Sequence, residues 1–323
     1  MLPTRSTLRQ SVSLPSPWAL AVLALTGTTA LWGTSFVAAK ALLVDLPPVT
    51  VAFLRFALAA TLLVPAARAT GHRPLRGVHS ALLGLSGVTL FFLFQNVGLR
   101  HASAGDATLI LGGGLPTLTI LFGVGFLDER PSRRQLVGLA CSLRGVAAVA
   151  FAAGAGAADA NLRGSVLLVL AAASGAAYTI IGRRVFRESG LLATLSGSTC
   201  YGLLFLAPCV AVELASVEAT LPGPQDLLLL LYLGGACSAL AFALWAYSLR
   251  HLTVTQVAVV SNVELPIGVV AAALLLEEGL GRGQLVGGAL VLLGAWLAIE
   301  ATSDKAMEVM TGSDAVPSPA LVT

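Results

Sequence analysis

GLRHASAGDATLILGGGLPTL, residues 98–118, and SLRHLTVTQVAVVSNVELPIG, residues 248–268, are two copies of one pattern. Leu-Arg-His stands at 99–101 and again at 249–251, and Leu-Pro at 115–116 and again at 265–266, both at an offset of 150. After one gap the offset becomes 149. Asp128-Glu129 then matches Glu277-Glu278, Gln135-Leu136-Val137-Gly138 matches Gln284-Leu285-Val286-Gly287, and Gly145 matches Gly294. Leucines and alanines coincide by chance in so apolar a chain. Ordered matches of Arg-His, proline, an acidic pair and a Gln-Leu-Val-Gly run mark a duplicated unit.

Both copies lie in long apolar runs. Of the 323 residues 56% are hydrophobic and 11% charged, and the mean hydropathy is +0.88. An average soluble domain carries about 25% charge. A soluble chain this apolar could not cover its surface with polar groups. The disordered, fibrous and disulfide-rich secreted classes are excluded as well, and a net charge of +3 gives no reason to expect a nucleic-acid partner.

A helix needs roughly 20 apolar residues to cross a hydrocarbon layer of about 30 Å. Cutting the chain at its polar clusters gives ten spans: 18–39, 47–67, 77–98, 104–127, 135–153, 164–182, 191–212, 226–249, 252–276 and 280–299. The expected fold is an all-α integral membrane protein of ten transmembrane helices. Residues 1–17 form an N-terminal tail. Residues 18–153 and 164–300 form the two five-helix repeats, and residues 301–323 are expected to be a disordered tail. Lys/Arg asymmetry sets the orientation. With the N-terminus inside, thirteen basic residues fall in inside segments and three, Arg100, Arg163 and Arg282, fall outside. Both termini are then cytoplasmic. Because each unit has an odd number of spans, the second copy enters the membrane from the opposite side. Inverted repeats are how many secondary transporters obtain two access states.

Spans four and nine carry matched prolines. Pro116 removes a backbone donor and frees the carbonyl of Gly112, and Pro266 does the same for Asn262. Gly112-Gly113-Gly114 is expected to loosen span four further. Interrupted helices at corresponding positions of two repeats point to a midplane binding site; a single proline kink, by contrast, is common in membrane helices. Glu264 lies near the centre of span nine, where a charge costs several kcal/mol and usually serves function. Its counterpart is Gly114. Glu264 is expected to carry a proton or to meet a cationic group, against the structural alternative of capping a broken helix or pairing with a buried arginine. Arg55 lies about eight residues into span two. Lys40 is near the end of span one, where its side chain can snorkel and where Asp45 is close in sequence. Arg144 is near the centre of span five and needs a partner or water. Trp32, Gln95, Asn96, Tyr178, Trp245, Tyr247 and Asn262 lie within spans and are cavity candidates, with helix packing an equal alternative for each.

Absences narrow the function. A phosphate-binding loop needs Gly-Lys, and Ala39 precedes Lys40 while Asp304 precedes Lys305. No H-E-x-x-H and no G-x-S-x-G occurs. Cys141, Cys200, Cys209 and Cys237 form no C-x-x-C pair, so neither a disulfide framework nor a metal site is implied. No cofactor is expected.

The sequence resembles the EamA family of the drug/metabolite transporter superfamily. The resembling stretches are LWGTSFVAAK (31–40), LRF (54–56), HASAGDATLILGGGLPTLTILFGVGFLDER (101–130) and VELPIGVVAAALLLEE (263–278). The resemblance covers about residues 18–300. It implies a pseudo-symmetric bundle with a central cavity lined by spans one, three, four, six, eight and nine. It also implies export of amino acids, other metabolites or drugs. Arg144 departs from the family pattern, which has an apolar residue there. The expected protein is a secondary transporter of the bacterial inner membrane, with a small-molecule substrate, the lipid bilayer and protons as its partners. The alternative is a membrane-embedded enzyme or sensor that uses the same bundle without net transport.

Overall fold

The structure is a computed structural model, and it describes residues 16–127, 132–151, 158–217, 221–252 and 260–312. Among these residues there is helix and no strand. Helix α1 spans Pro17–Leu42, α2 Pro48–Ala69 and α3 Val78–His101. Next come α4, Ala104–Leu127, α5, Arg133–Ala150, α6, Ala158–Ser189, and α7, Leu191–Ser216. Helix α8 is built of Pro224–Leu231, Tyr232–Leu240 and Ala241–His251. Helix α9 spans Glu264–Leu275 and α10 Arg282–Gly312.

Seven of these helices, α1 to α4 and α6 to α8, have the length and hydropathy to cross a membrane. Glu264–Leu275 and the first part of α10, Arg282–Leu297, are apolar but shorter. Helix α5 is more polar because Arg133, Arg134, Gln135 and Arg144 fall within it. Helix α10 continues past residue 300 as far as Gly312, where Ala, Met, Glu and Lys are good helix formers, and residues 313–323 of the expected tail lie outside the described residues. One expectation needs correction. Span nine is not one helix: Asn262 and Val263 form a turn, and the described helix starts at Glu264.

Lipid tails are as apolar as leucine, so helices here associate through close packing and hydrogen bonds rather than by escaping water. The most extensive contact is between α5 and α10. Its glycines are the repeat-matched ones. A Cβ on Gly145 would lie 2.6 Å from the Gly287 carbonyl oxygen, and one on Gly287 2.7 Å from the Gly145 oxygen. Gly294 sits against the Gly138 oxygen in the same way, at 2.5 Å. The other large contacts also come in corresponding pairs. Helix α4 packs on α6 as α9 packs on α1, and α3 packs on α6 as α8 packs on α1. Helix α3 packs on α7 as α8 packs on α2.

Helices α3 and α8 each widen into a π turn, at Gly84–Leu90 and Tyr232–Leu240. In each turn a hydroxyl reaches the carbonyl five residues back: Thr89 Oγ1 to Gly84 at 3.2 Å, and Ser238 Oγ to Leu233 at 2.9 Å. π turns of this kind concentrate at functional sites.

The bundle is pinned where α3 turns into α4. Lys40 Nζ, at the end of α1, donates to the carbonyls of Leu99 and Ala102 at 2.5 and 2.7 Å. Glu278 accepts from the amides of Ala104 and Gly105 at 2.8 and 3.0 Å. A cation thus meets the last carbonyls of one helix and an anion the first amides of the next, each placement favoured by the helix dipole. Gln284 Nε2 adds a bond of 2.8 Å to Asp106. Glu213 does for α2 what Glu278 does for α4, accepting from the amides of Val49 and Thr50 at 3.0 and 2.7 Å.

Candidate transport site

Among the described residues Arg55 is the most buried arginine, with 4% of its surface exposed. Helix α2 carries it towards the π turn of α8, whose Gly234 lets the helices touch: a Cβ there would be 2.7 Å from the Arg55 carbonyl oxygen. Arg55 Nε donates to Ser238 Oγ at 2.8 Å. Its guanidinium carbon lies 4.6 Å from the centre of the Phe92 ring and 5.8 Å from that of Phe56. A cation over an aromatic face gains about 0.5–2 kcal/mol. Among the described residues no carboxylate pairs with Arg55, and its four remaining N–H groups have no acceptor. Beside it, the hydroxyls of Thr34 and Tyr232 bond to each other at 2.6 Å.

Helix α1 separates this group from Glu264. On one side Trp32 Nε1 donates to the Cys237 carbonyl at 3.1 Å, and Cys237 Sγ donates to the Leu31 carbonyl at 3.2 Å. On the other side Gly33 lies against α9, where a Cβ would be 2.9 Å from the Glu264 carbonyl oxygen. Glu264 occupies the first turn of α9 and is partly buried. Among the described residues its carboxylate has no hydrogen-bond or ionic partner. The first turn of a helix, with its free amides and positive dipole end, favours a carboxylate.

An aromatic chain runs from this level across three helices. Trp32 contacts Phe242 edge-on at 5.4 Å and Trp245 at 6.4 Å. Trp245 meets Phe186 at 6.5 Å, and Phe186 meets Tyr178 at 5.9 Å. Tyr178 lies against Gly87 in the π turn of α3. Gln95 and Asn96 are buried on α3. Asn96 Nδ2 donates to the Pro48 carbonyl at 3.0 Å, whereas the Gln95 Nε2 and Asn96 Oδ1 atoms have no partner among the described residues.

The structure thus brings Trp32, Tyr178, Trp245 and Arg55 into one connected region, with Glu264 across α1. Other candidates serve different ends. Gly112, Gly113 and Gly114 do not loosen α4; each faces another helix, at Leu265, Val291 and Ala172 respectively. Pro116 is inside α4 and removes the amide that would bond Gly112, as expected. Pro266 falls in the first turn of α9, where no such bond exists, and the Asn262 carbonyl accepts from Leu265 N at 3.3 Å. Pro266 lines an open apolar groove of about 490 Å³ with Ile267, Val270 and Leu274. Tyr247 stacks on His251 at 4.3 Å. Arg144 is exposed on α5, and Lys40 is engaged by backbone carbonyls. Sequence reasoning missed Thr34, Phe92, Tyr232 and Ser238. The glycines at the two matched π turns, Gly84 and Gly234, were the available signal.

Seven helices long and apolar enough to cross a membrane, with polar and aromatic groups sunk between them, define a multi-pass membrane protein. The chain belongs to the EamA-like transporter family, whose profile matches residues 19–151 and again 162–299. It is 30% identical to a protein of Streptantibioticus cattleyicolor named "Probable terminal-alkyne amino-acid exporter", over 90% of this chain and 97% of that one. It is 29% identical to a "Probable amino-acid metabolite efflux pump" of Escherichia coli, over 82% and 90%. It is 26% identical to an "Uncharacterized transporter" of Archaeoglobus fulgidus, over 85% and 96%. A crystal structure with 21% identity shares the fold, with a TM-score of 0.62 over 90% of this chain and 99% of the other.

Proposed function

We propose that the protein is a proton-coupled secondary exporter of small metabolites of the amino-acid type, working by alternating access across the bacterial inner membrane. It has ten spans in two inverted five-helix units, 18–153 and 164–300, with both termini cytoplasmic. Three features support the inverted arrangement: two family matches along the chain, helix contacts that recur in corresponding pairs, and the reciprocal glycine packing of α5 on α10. The names of the amino-acid exporters among its relatives support the substrate class.

The observation that carries the proposal is a pair of ionisable groups on either side of α1 that have no ionic partner among the described residues, Arg55 on α2 and Glu264 at the start of α9. Groups of this kind inside a membrane mark substrate and proton pathways. A carboxylate beside a broken helix can take up a proton on one side and release it on the other as the helices rock. Glu264→Gln keeps the shape and removes the titration. In proteoliposomes, wild-type transport is expected to accelerate several-fold with an imposed pH gradient, and that of Glu264→Gln to be insensitive to it while retaining exchange. Unchanged gradient-driven transport in the variant removes Glu264 as the proton carrier.

A further inference from the structure

We infer that Arg55 is the anion-binding element of the substrate site and that the transported molecule carries a carboxylate. The inference rests on the transport function proposed above and specifies its substrate. Arg55 has 4% of its surface exposed, one neutral hydrogen bond to Ser238 and an aromatic face at Phe92. A buried cation is tolerated when paired, and here no carboxylate of the described residues pairs with it. The N–H groups left over are those of the fork that binds a planar carboxylate through two parallel bonds.

The surroundings prepare the side chain for that task. The Nε bond to Ser238 fixes the rotation of the guanidinium, and the Phe92 ring holds one of its faces. Ser238 is itself anchored at 2.9 Å to the Leu233 carbonyl, which the π turn makes reachable. The turn thus has a positioning role: it places a hydroxyl where a regular helix would not. The Thr34 and Tyr232 hydroxyls, 2.6 Å apart, offer a second polar contact beside the guanidinium. The Phe56 and Phe92 rings give the guanidinium an apolar, aromatic surrounding. A carboxylate on an apolar or aromatic body fits this combination, whereas a bare amine would face a cation.

The test is counterflow of labelled L-phenylalanine into proteoliposomes holding the full chain, with four competitors: L-phenylalanine, 3-phenylpropanoate, L-phenylalaninamide and phenethylamine. The two carboxylates are expected to compete at least about tenfold better than the amide and the amine. Arg55→Met is expected to weaken carboxylate competition on the order of 100-fold and to let phenethylamine compete at least as well as it does against the wild type. Arg55→Lys keeps the charge without the fork and should fall between. Because Arg55→Met removes a buried side chain, Ser238→Ala provides a second, milder variant. Its expected loss is several-fold for carboxylates only, with normal elution from a sizing column. Equal competition by acid and amide in the wild type overturns the assignment of Arg55 and leaves transport standing. If the wild-type protein gives no counterflow of labelled L-phenylalanine and none of the four compounds competes, both the assignment and the transport function beneath it are removed.

Discussion

Substituting Gly145 with alanine adds one methyl group where α5 crosses α10. The new Cβ would lie 2.6 Å from the Gly287 oxygen, 2.8 Å from Val291 Cγ2 and 2.9 Å from the Val291 amide nitrogen. Carbon and carbonyl oxygen meet at about 3.3 Å where backbones touch. Helix α10 must therefore retreat by roughly 0.7 Å. Two of the three obstructing atoms are backbone, so no side-chain rotation relieves the clash. Overpacking of this kind costs about 1–3 kcal/mol, against a gain of about 1 kcal/mol from replacing a helical glycine. The net expectation is a destabilisation of up to about 2 kcal/mol. Gly125→Ala is the control, because nothing lies within 4 Å of its Cβ and only the propensity gain remains. The assay is thermal unfolding of the purified protein in detergent, followed by its monodisperse peak on a sizing column. Gly145→Ala should melt below wild type and Gly125→Ala at or above it. Gly145→Ala with Gly287→Ala should cost less than the two single changes together, since one retreat of α10 accommodates both methyl groups. A Gly145→Ala protein as stable as Gly125→Ala would refute the reciprocal backbone contact.

Three other outcomes follow from the same geometry. Glu278→Gln and Glu213→Gln each weaken a cap on a neighbouring helix and should lower stability by about 0.5–2 kcal/mol, measured by the same melting assay. Pro116→Ala should slow transport by restoring the bond to Gly112, while Pro266→Ala, at a position with no bond to restore, should leave the rate near wild type in proteoliposome flux. Reporter fusions after Pro74 and Arg184 should read cytoplasmic and those near Asp159 and Pro222 periplasmic; a cytoplasmic signal at Asp159 breaks the five-plus-five division.

The parts of the fold legible in the sequence were those where backbones touch. Gly145 and Gly294 recur at a fixed offset because any side chain there would meet the neighbouring helix, so the requirement is written as a residue type. The buried arginine was legible for a similar reason: a charge inside an apolar run stands out whatever surrounds it. The hydroxyls of Ser238, Thr34 and Tyr232 were not, because such residues are common in membrane helices and their meaning lies in which helix they face. The start of α9 was also hidden. Residues 252–276 read as one continuous apolar run, and the turn at Asn262 and Val263 leaves no break in hydropathy. That turn moved Pro266 from mid-helix to the first turn and so changed its role.

The most direct measurement of the central claim is trans-stimulated exchange. Proteoliposomes loaded with unlabelled L-phenylalanine are diluted into a trace of the labelled compound, beside liposomes without protein and proteoliposomes without internal load. Alternating access predicts a transient accumulation of label above equilibrium that requires both the protein and the internal load. Label entry at the rate of protein-free liposomes, or entry that ignores the internal load, would contradict it.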